Sequence, residues 1–240
     1  MKNKTAIILC GGKGERLRPL TESVPKPLVC INKKPILEYI INYLSSYHFE
    51  NVILATGYKS DKIQEFQSNM STEINIKCFN TGDVDIIKRL EIITKNLDTD
   101  IFLLYGDTIA NVDFNLLESH HEKYKYPVTI TRYPLKTKFG IIDSDKNGKV
   151  TKFLEKPILD IWYNIGYIFI ERKVFKKFSN FDTFVDLLNN LVETNELNSF
   201  NHTGHHITVN TLDELNYAEK KIKKIKKKIK KFVWKRLYNY

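Results

Sequence analysis

Three glycines near the start of the chain have the spacing of a phosphate-binding loop. Gly11, Gly12 and Gly14 directly follow an apolar run, residues 7–10, that has the length of a strand. Because glycine lacks a Cβ, the backbone N–H groups of such a loop can approach an anion closely. The basic residues of the same stretch are Lys13, Arg16, Arg18 and Lys26. Ammonium and guanidinium groups at this density suit a triphosphate better than a neutral ligand, so we predict a polyanion site here.

Two better-known glycine loops do not fit these residues. A Walker loop needs Ser or Thr after Gly-Lys to reach the metal ion, and Gly12-Lys13 is followed by Gly14. A dinucleotide fingerprint that begins at Gly12 needs its third glycine at position 17, where the chain has Leu17. The loop therefore indicates phosphate binding of another kind.

Asp107 is the candidate metal ligand. It follows a continuous apolar run, residues 101–105, that is typical of a strand buried on both faces of a mainly parallel sheet. Ligands of open α/β sheets bind at the carboxyl ends of the strands, so Asp107 and the glycine loop should face one crevice. Magnesium keeps several waters and takes only one or two protein oxygens beside substrate phosphates, which makes a single carboxylate a credible anchor.

The elements that must position these residues alternate between strand and helix in the first half of the chain. Strand patterns cover 51–55, 74–79 and 101–105, and helical spacing covers 36–44 and 84–97. Residues 128–170 form a β-rich part, in which Asn147-Gly148 predicts a hairpin turn. The later patterns are a helix at 183–193, a strand at 207–210 and a helix from 212 onward. We expect one α/β catalytic domain, residues 1–218, with residues 219–240 as an appendage.

Positive charge is concentrated in that appendage. Residues 219–240 hold 11 of the 38 Lys and Arg residues and one of the 28 acidic residues, so the remainder is neutral, with 27 of each (38 − 11 and 28 − 1). Their isoleucines recur at helical spacing, which predicts a basic amphipathic helix. Three interpretations stay open: the apolar stripe packs on the domain, the helix anchors the protein to an anionic membrane surface, or the helix binds an acidic partner. Nucleic acid is not the expected partner.

The chain has no apolar run of the roughly 18 residues that a transmembrane helix needs, and its first residues lack the pattern of a signal peptide. Its three cysteines are scattered, as expected of reduced thiols. We therefore expect a cytoplasmic protein, peripheral on the inner face of the membrane if the tail binds lipid.

The glycine loop, taken together with residues 25–28 (Pro-Lys-Pro-Leu), resembles the signature of the sugar-1-phosphate nucleotidyltransferases. Gly106-Asp107, Phe139-Gly140, Glu155-Lys156-Pro157 and Asn164-x-Gly166 match further motifs of that family in order. The resemblance covers nearly all of residues 5–218. It implies a Rossmann-like three-layer fold, with a mainly parallel mixed central sheet and a small β-rich sugar-binding insert.

The resemblance also implies a reaction, in which a nucleoside triphosphate and a sugar 1-phosphate give a nucleotide sugar and pyrophosphate, with Mg²⁺ as cofactor. Residue by residue, it assigns Arg16 and Lys26 to the triphosphate, Asp107 to the metal, Lys156 to the sugar phosphate and Glu155 to sugar hydroxyls. The other substrate-binding positions that it implies are Leu9, Gly11, Gly12, Gly14, Thr81, Gly82, Gly106, Gly140, Asn164 and Gly166. Such an enzyme would serve nucleotide-sugar and polysaccharide biosynthesis.

Within the family the chain is most similar to the cytidylyltransferases, which favours CTP. It departs from their pattern at residues 86–89 (Ile-Ile-Lys-Arg), which replace a glycine pair near the base pocket, and at Asn210, which replaces a second metal-binding Asp. An asparagine still offers a neutral oxygen to magnesium. The alternatives left open are dTTP, UTP or GTP, a phosphate monoester other than a sugar phosphate, and a catalytically silent module that binds nucleotides or membranes. The oligomeric state is also open.

The tail gives the first testable prediction. Each basic residue near an anionic leaflet contributes about 1 kcal/mol to binding, and salt limits the reach of these charges to about 8 Å at physiological ionic strength. We expect co-sedimentation with acidic vesicles that weakens with added salt, and no binding to neutral vesicles. A chain ending at Ala218 should lose this binding and keep its activity. Failure of the full chain to bind acidic vesicles at low salt would contradict the anchor.

Overall fold

A mixed sheet of seven strands carries the site, in a computed structural model that describes residues 4–223. The strands are β1 (Thr5–Cys10), β2 (Cys30–Ile31), β3 (Lys34–Pro35), β4 (Asn51–Thr56), β5 (Asn75–Asn80), β6 (Ile101–Tyr105), β7 (Thr108–Ala110), β8 (Val128–Lys136), β9 (Ile141–Ser144), β10 (Val150–Leu154), β11 (Ile158–Ile170), β12 (Leu197–Asn201) and β13 (His206–Thr208). The order in the large sheet is β12-β8-β11-β6-β1-β4-β5. β6, β1, β4 and β5 run parallel, and β11 is antiparallel to both of its neighbours.

Helices cover both faces of this sheet, as the resemblance predicted. They are α1 (Leu20–Ser23), α2 (Ile36–Ser45), α3 (Ser60–Ser68), α4 (Ile86–Thr94), α5 (Phe114–Tyr124) and α6 (Phe184–Glu193). A seventh helix, α7, begins at residue 212 and continues to 223, where the description ends. One core layer contains Leu37 and Phe114, and the other contains Leu90 and Leu187. The expected three-layer α/β fold is confirmed.

Pairing of β1 with β6 brings the two predicted sites to one edge. Ile7 and Leu103 are register partners at the centre of the sheet and are fully buried. Leu9 lies beside Tyr105 at the carboxyl ends, where the backbone N–H of Gly106 donates to the Leu9 carbonyl at 3.1 Å. The glycine loop and Asp107 therefore leave the sheet side by side.

Most sequence-predicted elements are present, but α5 and β12 were not predicted. Asp113 caps α5 by accepting hydrogen bonds from the next backbone N–H groups, and only Phe114, Leu117 and His121 of the helix are buried. That apolar face is too sparse to stand out in the sequence. The predicted hairpin turn is confirmed between β9 and β10, where Gly148 has a φ of +82°.

The first part of the tail packs on the domain. Ala218 and Ile222 are buried in the same core layer as Leu37, and the Asn32 side chain donates to the Glu219 carbonyl at 3.0 Å. The predicted boundary at 218/219 stays a prediction, and the lipid-anchor interpretation concerns mainly residues 224–240, which lie outside the described part of the chain. Within residues 4–223, every helix is too short or too polar to cross a membrane.

These contacts predict that the point of truncation matters. A chain ending after Lys223 retains the contacts of Glu219 and Ile222 with the domain and should therefore be more stable than a chain ending after Ala218. Ending the chain after Ala218 removes buried Ile222 and should lower the free energy of unfolding by about 2 kcal/mol. Urea denaturation measures both values. Equal stability of the two truncated chains would show that Ile222 contributes nothing.

Candidate active site

A cleft of about 700 Å³ opens at the carboxyl edge of β1 and β6. Its walls are the glycine loop, the ends of these two strands, and Asp83, Val84, Ile86 and Arg89. The predicted site residues that line it are Leu9, Gly11, Gly12, Gly14, Arg16, Lys26, Gly106, Asp107 and Asn210. The predicted crevice is therefore present, and it contains the predicted triphosphate and metal residues.

Local backbone geometry shapes the glycine loop. Gly14 has a φ of +65°, and its carbonyl accepts hydrogen bonds from the Thr21 hydroxyl at 3.0 Å and from the Leu17 N–H at 2.9 Å. The single 3₁₀ turn Glu15–Leu17 buries Leu17 completely. Because Leu17 anchors this turn in the core, the neighbouring Arg16 is held at the wall of the cleft.

The chemical centre of the cleft is the ammonium group of Lys26. It forms a short ion pair with Asp107 and donates to Oδ1 of Asn210 at 2.7 Å. The same Oδ1 accepts a second hydrogen bond from Arg16, at 3.1 Å. The side chains of Lys26 and Asp107 are only 15% and 22% exposed, so the charges lie in an environment partly shielded from water.

Neighbouring groups orient the two oxygen ligands. The Thr108 hydroxyl donates to Oδ1 of Asp107 at 3.0 Å. The Asn210 amide donates to the Thr208 hydroxyl at 3.1 Å, which leaves Oδ1 facing the cations. β7 and β13 pair antiparallel with Thr108 opposite Thr208, so Asn210 lies next to Asp107 although the two are far apart in the sequence.

The donor set fits magnesium. Asp107 and Asn210 supply one carboxylate and one amide oxygen, which are ligands that this hard cation accepts, and it keeps waters in its remaining positions. The described residues contain no group of three or more His, Cys, Asp or Glu side chains arranged to hold a metal ion. The protein would thus contribute two oxygens, both of which bind the Lys26 ammonium here.

The predicted sugar-phosphate residues lie at the ends of the β9–β10 hairpin. Glu155 and Lys156 occupy the turn between β10 and β11, pair with each other at 3.1 Å and are about 60% exposed. Gly140 is in the same hairpin, where a Cβ would approach the Phe153 ring to 2.8 Å. None of them is among the residues that line this cleft, and none is a hydrogen-bond partner of Lys26.

Asn164 and Gly166 connect the two regions through Tyr105. The Gly166 N–H donates to Oδ1 of Asn164 at 2.8 Å, and Gly166 has a φ of +72°. A Cβ at Gly166 would approach the Tyr105 ring to 2.2 Å, and Tyr105 lines the cleft. The glycine is required because an aromatic wall of the cleft packs directly on its backbone.

Arg89 is a cleft residue to which the sequence interpretation gave no role. Its side chain is 4% exposed, and its guanidinium donates to backbone carbonyls and to the hydroxyl of Thr81. Thr81 and Gly82 thus contact Arg89 and do not line the cleft themselves. A signal was available, because Arg89 lies three residues after Ile86 and four before Ile93, on the apolar face of the helix.

Burial sets the ionisation of the groups near Arg89. Removal from water lowers the pKa of the Arg89 guanidinium, although Cys10, Asp83 and Asp85 act in the opposite direction. Removal from water also raises the pKa of the Cys10 thiol well above its usual range. Cys10 therefore stays a neutral thiol at physiological pH and is not a nucleophile.

Comparison with known proteins agrees with this geometry. Residues 5–229 match the family model described as Nucleotidyl transferase. The chain is 35% identical over 153 residues to the bifunctional protein GlmU of Methanocaldococcus jannaschii. This match covers 63% of this chain but only 36% of that protein. It is 32% identical over 193 residues to a protein named probable glucose-1-phosphate cytidylyltransferase from Bacillus subtilis, covering 71% of this chain and 76% of that one.

Further relatives are named guanylyl- and uridylyltransferases. Among solved structures, HddC from Yersinia pseudotuberculosis has the same fold, with a TM-score of 0.70, 21% identity and coverage of 91% of this chain and 99% of that one. The matched region thus spans about a third of the archaeal relative and three quarters of the bacterial one.

The contact between Gly11 and Arg89 gives a prediction for a double-mutant cycle. A Cβ at Gly11 would lie 2.4 Å from the guanidinium carbon, so Gly11→Ala should lower the free energy of unfolding by about 1–3 kcal/mol through overpacking. In an Arg89→Ala background the same change should cost less than about 1 kcal/mol. Urea denaturation of the four proteins measures the coupling. Additive effects would contradict the contact.

Proposed function

Because the chain belongs to the sugar-1-phosphate nucleotidyltransferase family, we propose that it transfers a nucleotidyl group from a nucleoside triphosphate to a sugar 1-phosphate and releases pyrophosphate. The observation that carries the proposal is the convergence of Arg16, Lys26, Asp107 and Asn210 beside a glycine loop. Two cationic side chains, a carboxylate and the backbone of a glycine loop at the carboxyl edge of the sheet suit a reaction between two polyanions.

The step is an in-line substitution at phosphorus. An ionised oxygen of the sugar phosphate attacks the α-phosphorus, a new P–O bond forms, and the bond between the α-phosphorus and the bridging oxygen of the β-phosphate breaks. Pyrophosphate leaves with that electron pair. A phosphate oxygen is already ionised at neutral pH, so the protein needs no general base, and its task is to hold like charges together.

Arg16 and Lys26 are proposed to bind the leaving pyrophosphate. Both already lie at the cleft wall, and both share Oδ1 of Asn210. The Arg16 guanidinium and the Lys26 ammonium would therefore need to move only a short distance to exchange the Asn210 oxygen for phosphate oxygens. Lys156 is proposed to bind the sugar phosphate from its exposed position after β10.

Asp107 and Asn210 are proposed to hold a magnesium ion. When bound, such an ion neutralises charge on the phosphate oxygens and makes the α-phosphorus more electrophilic. Lys26, whose ammonium binds the same two oxygens in the free protein, would then be available to bind the triphosphate. The protein's contribution is to supply two preoriented oxygens and a cation that exchanges partners.

CTP is the proposed nucleotide. The support is the similarity to the cytidylyltransferases, together with the Bacillus relative named for that activity. The guanylyl- and uridylyltransferases among the relatives make GTP and UTP the alternatives, and dTTP or a non-sugar phosphate monoester also stay open. Incubation of the protein with each triphosphate, Mg²⁺ and a panel of sugar 1-phosphates, with pyrophosphate measured, decides between them. Pyrophosphate from no pair would favour the silent binding module.

Substitution of the charged residues tests the assigned roles. Asp107→Ala and Lys156→Ala should each lower turnover by about 10²-fold or more, the range for loss of preorganised charge stabilisation. Lys152→Ala is the matched control, because Lys152 is an exposed lysine on the same hairpin as Lys156 and has no proposed role. Pyrophosphate release under saturating substrates measures turnover.

The three variants should also have the circular dichroism and melting behaviour of the parent protein. Turnover near that of the parent in both Asp107→Ala and Lys156→Ala would contradict the assignment. A loss in Lys152→Ala as large as that in Lys156→Ala would show that the hairpin acts through its overall charge and not through Lys156.

A further inference from the structure

Arg89 lies where the base of a bound nucleotide would enter the cleft, and we propose that it determines which bases the site accepts. Its guanidinium closes the space beside Gly11, so that the cleft admits pyrimidine nucleotides and excludes purine nucleotides. The inference rests on the proposed function, because it concerns the nucleotide of that same site.

The ends of the cleft differ in character. The cations and Asp107 gather where the glycine loop turns toward Arg16, which is the end suited to phosphates. Another wall is formed by Asp83, Val84, Ile86 and Arg89, and there Val84 and Ile86 present apolar side chains beside Arg89. A triphosphate held by the glycine loop and Lys26 therefore directs its base toward Val84, Ile86 and Arg89.

Arg89 is held rigidly in this wall. One terminal nitrogen of its guanidinium donates to the Thr56 carbonyl and the Thr81 hydroxyl. The other donates to the carbonyls of Gly82 at 3.1 Å and Val84 at 3.3 Å. All four terminal N–H groups thus have acceptors on the strand end and on the adjoining loop. A planar fork bound at both terminal nitrogens cannot swing aside as a lysine could.

The charge of Arg89 has no direct counter-ion. Across residues 4–223 its partners are carbonyls and a hydroxyl, and no carboxylate lies within ion-pair distance. A buried charge with neutral partners costs stability and is not explained by packing alone. An arginine at this place is therefore better explained by an effect on the ligand than by an effect on folding.

The guanidinium occupies the space that a larger base would need. Its central carbon and both terminal nitrogens would lie within 2.4–2.5 Å of a Cβ built on Gly11, so the group lies directly against the loop backbone. A purine differs from a pyrimidine by a fused imidazole ring, which is flat and close to a guanidinium in size. With that group fixed, we expect the cleft to leave room for a pyrimidine ring and the additional ring of a purine to overlap the guanidinium.

The loop before α4, to which Arg89 donates hydrogen bonds, also forms an ion pair with the glycine loop. Asp83, between Gly82 and Val84, pairs with Lys13 of the glycine loop at 2.7 Å across the mouth of the cleft. The wall is therefore attached to the glycine loop by the Lys13–Asp83 ion pair and to the end of β4 by Arg89. Because that ion pair is largely exposed, the hydrogen bonds of Arg89 contribute most to the rigidity of the wall.

Two variants test the proposal. Arg89→Ala removes the group completely, and Arg89→Gln retains an amide that can still donate to two of the carbonyls, which protects the fold. Lys88→Ala is the matched control, because Lys88 is the adjacent basic residue of α4 but is exposed and pairs with Glu91. Equilibrium binding of CTP, UTP, GTP and ATP is measured, together with kcat/KM for each with one sugar 1-phosphate.

All four nucleotides carry the same triphosphate, so the loss of the Arg89 charge should affect their phosphate binding equally. The ratio of pyrimidine to purine binding therefore reports only the effect on the base. The parent protein should prefer pyrimidine to purine triphosphates by about tenfold or more, and Arg89→Gln should reduce that ratio by about tenfold through the Kd and KM of GTP and ATP. Lys88→Ala should leave the ratio unchanged.

Equal binding of purine and pyrimidine triphosphates by the parent protein would overturn the proposal without any variant. A uniform loss for all four nucleotides in Arg89→Gln, with the ratio kept, would also overturn it and would make Arg89 a structural residue. A parent protein that binds no triphosphate and releases no pyrophosphate would instead overturn the proposed function, which separates the two failures.

Discussion

The site depends on one ammonium group that two distant parts of the chain share. Lys26 binds Asp107, 81 residues away, and Asn210, 184 residues away. Burial of such a pair is costly, so its value for stability is small. Its consequence is geometric, because a cation between two oxygens keeps a carboxylate and an amide in the places that a divalent ion would need. The fold around it supplies this convergence, through β1 beside β6 and β7 beside β13.

A second cation, Arg89, is buried in another wall of the cleft. There Arg89 binds carbonyls from the end of β4 and from the loop that precedes α4, while Gly11 leaves room for its guanidinium. In the proposed function, the phosphate end of the cleft contains Lys26, which would exchange partners, whereas the proposed base end contains Arg89, which is held by four hydrogen bonds. A cation that can change partners is suited to a reacting centre, and a rigidly held side chain is suited to selection between ligands.

The sequence predicted the parts of this arrangement that depend on local patterns. The apolar run before Asp107 predicted a buried strand, and the glycine spacing predicted a loop at the same sheet edge; both lie where expected. The sequence predicted less well those features that depend on contacts between residues far apart in the chain. The burial of Arg89 depends on carbonyls that only the folded loop presents, and the polar face of α5 conceals its three buried residues. The absence of Lys156 from the lining of the cleft could not be predicted from a motif, because spacing along the chain does not fix the orientation of a hairpin.

Binding of Mn²⁺, a paramagnetic substitute for Mg²⁺, tests most directly whether Lys26 occupies the place of a metal ion. Electron paramagnetic resonance would follow Mn²⁺ binding to the full chain, with and without a CTP analogue that cannot be cleaved between the α- and β-phosphates. Because Lys26 holds both oxygens in the free protein, Mn²⁺ should bind weakly alone and at least tenfold more tightly with the nucleotide. Asp107→Asn should abolish that gain and leave nucleotide binding measurable. Equal Mn²⁺ affinity in the parent protein and in Asp107→Asn, with nucleotide bound, would contradict the account.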